Sequence, residues 1–515
     1  MSPFTRRQFL TAVAASAAIG GAGSQPVRPP PAGDRPIGGR NPPVSPPWRL
    51  SASDAAQQLQ SGKLTSVALT RSCLARIEDV NGAVNALNFV DSAAALRAAR
   101  QADMERAQGR IRGPLHGLPV AIKDNTDVRG QPTTNGIVAL RDNIARQDAP
   151  QVSRLRAAGA VLLGRSNTPA FSFSWDARND LHGVTCNPWS RMHTPGGSSG
   201  GAACAVATGM VPLAQGNDIG GSIRYPAYCC GVAGLRPTPG RVPGLFSPAQ
   251  GDEMLGLQLM LVDGPIARTV QDLGLMLEGM VGFDPRVPGS LPFPLPTENP
   301  RRWPRVGVLR DDGVSARTPA IDAALERAVS ALQRAGVSVE EVHLPELAEA
   351  WRLWWLLVME ESRALRPIIE RDGDAAIKAW IGYNYAVSAE MWGNTPSLAD
   401  YMRGYAQRAS LIARLQRKLE VTQVLLLPVS SQAPLLHGQH YADLDSARAA
   451  IAANWSMMAI PVLGFPALAL PTGLVDGLPT GVQLLGRRFA ERQLLHVGAL
   501  LQAAMPPLTP IDPQV

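Results

Sequence analysis

Lysine is nearly missing from this chain. Of 49 basic residues only four are lysines, Lys63, Lys123, Lys378 and Lys418, so the other 45 are arginines. Genomic base composition accounts for most of such a bias, and it makes each surviving lysine worth attention. Cysteine is scarce too: Cys73, Cys186, Cys204, Cys229 and Cys230 are five in 515 residues, an odd number with no CxxC pair and no Cys/His ligand spacing. That excludes a disulfide framework and a zinc site, and no metal is expected. Clustered basic residues are absent beyond pairs such as Arg301-Arg302 and Arg487-Arg488, although the net charge is +7 and the pI about 9.4. Nucleic-acid binding is therefore not expected. The chain also lacks an apolar run long enough to cross a bilayer, which argues against a stable membrane anchor. What remains, 45% hydrophobic and 18% charged residues with 49 glycines and 45 prolines, is a globular composition rich in turns.

The first residues read as an address. Thr5-Arg6-Arg7-Gln8-Phe9-Leu10 precedes a short alanine-rich apolar stretch over residues 11–19. Paired arginines before a weak apolar segment predict a twin-arginine export signal over residues 1–24, and a periplasmic or secreted protein. Residues 25–47 are dense in Pro and Gly, including Pro29-Pro30-Pro31, and predict an extended linker. Globular sequence follows over residues 48–510. Helical spacing is present over 53–60 and 65–79, with Ser53 and Thr65 as cap candidates, and again over 150–158 and 320–335. Short apolar runs over 118–122, 160–164, 305–309, 337–342, 421–427 and 467–470 predict buried strands. Alternation of the two predicts an α/β fold. Residues 351–400 hold Trp351, Trp354, Trp355, Trp380 and Trp392, which serve as packing and as a candidate pocket wall.

Three segments carry chemistry. In Gly117-Leu118-Pro119-Val120-Ala121-Ile122-Lys123-Asp124 a lysine ends an apolar strand. Burial penalises an ammonium and makes the neutral amine available as a base, which an arginine never becomes. A lysine that reaches solvent or pairs with Asp124 is the competing reading. In Pro195-Gly196-Gly197-Ser198-Ser199-Gly200-Gly201-Ala202-Ala203, glycines flank two serines and run into a small-residue helix. In Gly216-Asn217-Asp218-Ile219-Gly220-Gly221-Ser222-Ile223-Arg224, a serine follows two glycines, whose backbone N–H groups suit an oxyanion hole. The Gly-x-Ser-x-Gly pattern at 196–200 also fits a nucleophile elbow, but residues 187–195 make a poor preceding strand. A phosphate loop is excluded because no lysine follows the glycines.

Together these segments, with Ser198 and Ser222 24 residues apart, resemble the amidase signature family over residues 48–505. The runs Phe465-Pro466-Ala467-Leu468 and Gly481-Val482-Gln483-Leu484 also match its C-terminal portion. The resemblance implies one large domain, a mixed twisted β-sheet covered by helices on both faces. It implies Lys123 as base, Ser198 as bridging serine after a cis peptide bond, and Ser222 as nucleophile, with Ile219, Gly220, Gly221 and Ser222 supplying oxyanion N–H groups. Ser172, Phe173 and Trp175 lie where relatives place pocket-wall residues. Asn217, where the family more often has Ser or Thr, is expected to have a small local effect. The implied activity is hydrolysis of a small-molecule amide, or a carbamate or ester, without cofactor, by a monomer or homodimer. A tRNA-dependent amidotransferase subunit shares the fold and is the alternative.

Overall fold

The apolar runs of the sequence become strands of one mixed sheet. The computed structural model describes residues 45–246, 252–296, 303–310 and 313–514. The expected export signal, and residues 25–44 of the expected linker, lie outside the described residues. Eleven strands follow the spatial order Leu87–Val90, Val161–Ser166, Pro119–Lys123, Leu213–Asp218, Val262–Ala267, Ala233–Arg236, Ala467–Val475, Leu478–Gly486, Val424–Pro428, Val306–Val308 and Val339–Glu341. Val161–Ser166, Pro119–Lys123 and Leu213–Asp218 run parallel to one another, and the sheet then turns antiparallel through its centre. It ends in a second parallel trio. Residues are buried at every position of the central strands, so helices cover both faces, as strands read from continuous apolar runs require.

Most helices sit where periodicity places them, with ends moved by capping. Ala52–Gln60 is capped by Ser51, whose hydroxyl accepts from Asp54 N, and not by Ser53, whose hydroxyl donates instead to Asp272. Thr65 does cap its helix, which continues to Val84 because Asn85 supplies the left-handed terminus. Pro150–Ala157 and Pro319–Arg334 match their patterns to within a residue. The alanine-rich helix Gly200–Ala207 is buried over its whole length, which its small side chains allow. Residues Pro46–Val515 form one compact unit.

The strands around Leu213–Asp218 approach one another closely. A Cβ placed on Gly264, opposite Gly216 in the ladder, would sit 2.1 Å from the carbonyl oxygen of Leu235 on the next strand. Backbone cannot yield as a flexible side chain does. Gly264→Ala is therefore expected to cost about 3 kcal/mol or more, read as a lowered denaturation midpoint. Gly289→Ala, with no atom within 4 Å of the new methyl, is the control and should stay within about 0.5 kcal/mol of the parent.

Candidate active site

Lys123 ends its strand at the carboxyl edge of the parallel trio, beside the end of Leu213–Asp218. It is fully buried and has no carboxylate within ion-pair distance among the described residues. Its Nζ lies 2.6 Å from Ser198 Oγ and 2.7 Å from Asn217 Oδ1. Burial lowers its pKa to about 7, while the charge of Asp218, and that of Asp263 when ionised, pull the other way; burial pushes Asp263 itself up to about 8, so near neutral pH it is largely uncharged. Asp124, the competing partner, turns aside to Thr134 and Asn88. Asn217 is thus no local detail: it contacts the amine directly, and Asn125 fixes it by donating to and accepting from its amide. Gln215, two residues earlier on the same strand face, accepts from Lys123 N at 3.0 Å.

The Gly/Ser segment brings Ser198 to this amine. The Gly197–Ser198 peptide bond is cis. A Cβ on Gly197 would lie 2.2 Å from Ser174 O, so glycine alone lets this loop touch the segment that carries residues 172–175. The next residue ties the two serine loops together, since Ser199 N donates to Ser222 O at 3.2 Å. Ser222 Oγ makes no hydrogen bond among the described residues.

Residues 218–224 form a tight turn around one carboxylate. Asp218 accepts from Gly221 N (3.0 Å), Ile223 N (3.2 Å) and the guanidinium of Arg224 (3.0 Å), with Arg236 beside it. Burial alone would raise its pKa, but the charges of Arg224 and Arg236 and these hydrogen bonds hold it at about 2. The N–H of Gly221 is therefore spent on Asp218 and is not a free oxyanion donor. Those of Ile219, Gly220 and Ser222 donate to no described residue. Two indoles act from the other side: Trp354 Nε1 donates to Ile219 O at 2.9 Å and Trp175 Nε1 to Gly220 O at 3.1 Å. Because N–H and C=O of a trans peptide point oppositely, the indole on Ile219 O turns the Gly220 N–H away from itself.

Ser222 opens onto a cavity lined mainly by Phe173, Trp175, Trp354, Trp380, Ile219 and Met458, with Ser172, Ser174 and Asn384 as its other polar side chains. The expected wall residues Ser172, Phe173 and Trp175 are all present. Trp175 is also core, packed on Tyr225 and Trp380, and Phe173 stacks on Trp354 at 6.4 Å. Ser172 Oγ is engaged by Asn135 (2.6 Å) and Thr168 (2.9 Å). From the tryptophan-rich segment, Trp354 and Trp380 reach the cavity, whereas Trp355 is buried in the core. Of the histidines, His182 and His193 bond to Thr134 and Ser190, away from the serines. His440 touches Ser174 Oγ at 2.8 Å, not Ser222, and burial lowers its pKa to about 4. No group of three or more metal-ligating side chains occurs among the described residues.

The family profile described as Amidase matches residues 68–495. The chain is 38% identical to an indoleacetamide hydrolase of Bradyrhizobium diazoefficiens over 89% of this chain and 87% of that protein. It is 35% identical to a glutamyl-tRNA(Gln) amidotransferase subunit of Chloroflexus aggregans, over 88% and 96% of the two. Among solved structures, a bacterial aryl acylamidase of the amidase signature enzymes superposes with a TM-score of 0.76 at 26% identity, over 89% of this chain and 97% of that one. With a match across most of its length and a mixed sheet of the same architecture, this chain belongs to the amidase signature family and is an amide-bond hydrolase.

Proposed function

We propose that the protein hydrolyses a small aromatic amide through an acyl-enzyme on Ser222, with Ser198 and Lys123 as its proton relay. One observation carries the reading: a buried lysine amine with pKa near 7 lies 2.6 Å from Ser198 Oγ. Neutral Lys123 takes the proton of Ser198 as Ser198 takes that of Ser222, and Ser222 Oγ bonds to the amide carbon. The free N–H groups of Ile219, Gly220 and Ser222 stabilise the oxyanion. The proton returns through Ser198 to the leaving nitrogen as the C–N bond breaks. Water then releases the acid by the same relay. No cofactor enters. The same acyl transfer accommodates activated aryl esters and carbamates.

The cavity supports the aromatic assignment. Phe173, Trp175, Trp354, Trp380 and Met458 line it, and among the described residues no charged side chain does. The similarity to an indoleacetamide hydrolase points the same way. An amidotransferase subunit handling glutamine would need partners for an α-amino and an α-carboxylate group, which this lining does not offer. Ser174 with His440 makes a second serine–histidine pair, but no carboxylate orients that histidine and its Nδ1 is unpartnered.

The base must be neutral to work, so kcat/KM should rise with pH through an acid limb near 7 and plateau above it. Lys123→Arg keeps the charge but cannot lose its proton, and activity should fall by roughly 10³-fold or more at every pH. Substantial activity with an unmoved limb would refute the relay. Trp354→Phe keeps the ring but loses the hydrogen bond to Ile219 O, worth about 1 kcal/mol. Steady-state kinetics should show kcat reduced about five- to tenfold with KM changed less. We infer from Arg6-Arg7 and the apolar stretch after them that the protein is exported. Replacing both arginines by lysine should leave precursor in the cytoplasm, and unchanged periplasmic activity would contradict the assignment.

A further inference from the structure

Apart from the proposed nucleophile Ser222 and its turn, one side chain of the aromatic cavity has a polar atom to which no described residue donates. Ser172 Oγ is held by Asn135 and Thr168, and Ser174 Oγ by His440 and the N–H of Asp176. Asn384 differs. It lies within helix Ala375–Trp392, one turn after Trp380, and is only 1% exposed. Its Nδ2 donates to the Trp380 carbonyl at 2.6 Å, which fixes the amide's orientation and leaves Oδ1 as the group presented to the cavity. Among the described residues nothing donates to that oxygen.

Such an arrangement asks for a reason. Asparagine is a poor helix-interior residue, and this one sets an amide among aromatic side chains on the cavity wall. An apolar side chain would fill the site more favourably if the occupant were plain hydrocarbon. The tie to Trp380 O does not explain the residue either, because the helix ladder already satisfies that carbonyl.

We propose that Asn384 Oδ1 is a specificity determinant that accepts a hydrogen bond from a ring N–H of the substrate's aromatic acyl group. The site thereby selects bicyclic N-heteroaryl acetamides of the indole type over hydrocarbon rings of the same shape. The surrounding Trp380, Trp354 and Phe173 provide flat apolar contact to the ring. When the cavity is empty, water covers the oxygen; a hydrocarbon ring would displace that water and replace nothing, whereas a ring N–H restores the bond. This inference rests on the aromatic-amide reading above and adds the position and polarity of one recognition point.

The test compares kcat/KM for indole-3-acetamide, 1-methylindole-3-acetamide and naphthalene-1-acetamide, each corrected for the active fraction by serine titration. The parent enzyme should favour the N–H substrate about 10- to 100-fold over the other two. In Asn384→Leu that ratio should fall to about one. The ratio is internal to each enzyme preparation, so a partly folded variant still reads out, and Asn384→Ser serves if the leucine variant does not fold. No discrimination by the parent, or an unchanged ratio in both variants, would overturn the assignment of Asn384 alone. If the parent hydrolyses none of the three amides while an active-site phosphonate still labels Ser222, the aromatic-amide reading fails and this inference falls with it.

Discussion

The site depends on an amine buried without a counter-charge. Sheltering an ammonium at the end of a central strand is costly unless a carboxylate pairs with it. Here the near partners of Lys123 Nζ are a hydroxyl and an amide oxygen. The protein meets that constraint by favouring the neutral amine. The nearest carboxyl groups remain outside ion-pair distance: burial favours the neutral form of Asp263, and Asp218 is already saturated by two arginines and two backbone N–H groups. A carboxylate drawn up to Lys123 would favour its ammonium form and oppose the role of base proposed for it.

The turn over residues 218–224, proposed above as the oxyanion site, is held from two sides by unlike interactions. From within the core, Asp218 draws in the N–H groups of Gly221 and Ile223. From the other side, the indoles of Trp175 and Trp354 hold the carbonyls of Gly220 and Ile219. Donors aimed at developing charge are effective when they need not reorganise, and a turn clamped at four points has little freedom to do so. The tryptophans therefore shape both the pocket wall and the geometry of the turn.

Much of this is legible in the chain, for reasons that are local. The strand ending in Lys123 announces itself because burial and a rare residue type coincide, and the two glycine–serine segments do so because few other functions need that backbone freedom. Asn217 matters more than its place outside the triad suggests, because it contacts the lysine amine. The signal for it lies in Gln215 and Asn217, polar residues two apart on an otherwise apolar strand, and so on one face. Gly221 belongs with the oxyanion donors by position, but only the structure shows its N–H given to Asp218. Trp354, Trp380 and Asn384 stand far along the chain from Ser222, and no sequence period selects which of many aromatic residues will turn toward the cavity.

The scarcity of lysine allows the central claim to be measured directly. With the nitrogen of lysine isotopically labelled, the four lysines give four side-chain resonances, and Lys123→Arg identifies one by its disappearance. Titration should show that resonance changing protonation near pH 7. A Lys123 amine that stays charged to above about pH 9, as a free lysine does, would contradict the account of this site as built around a buried neutral base.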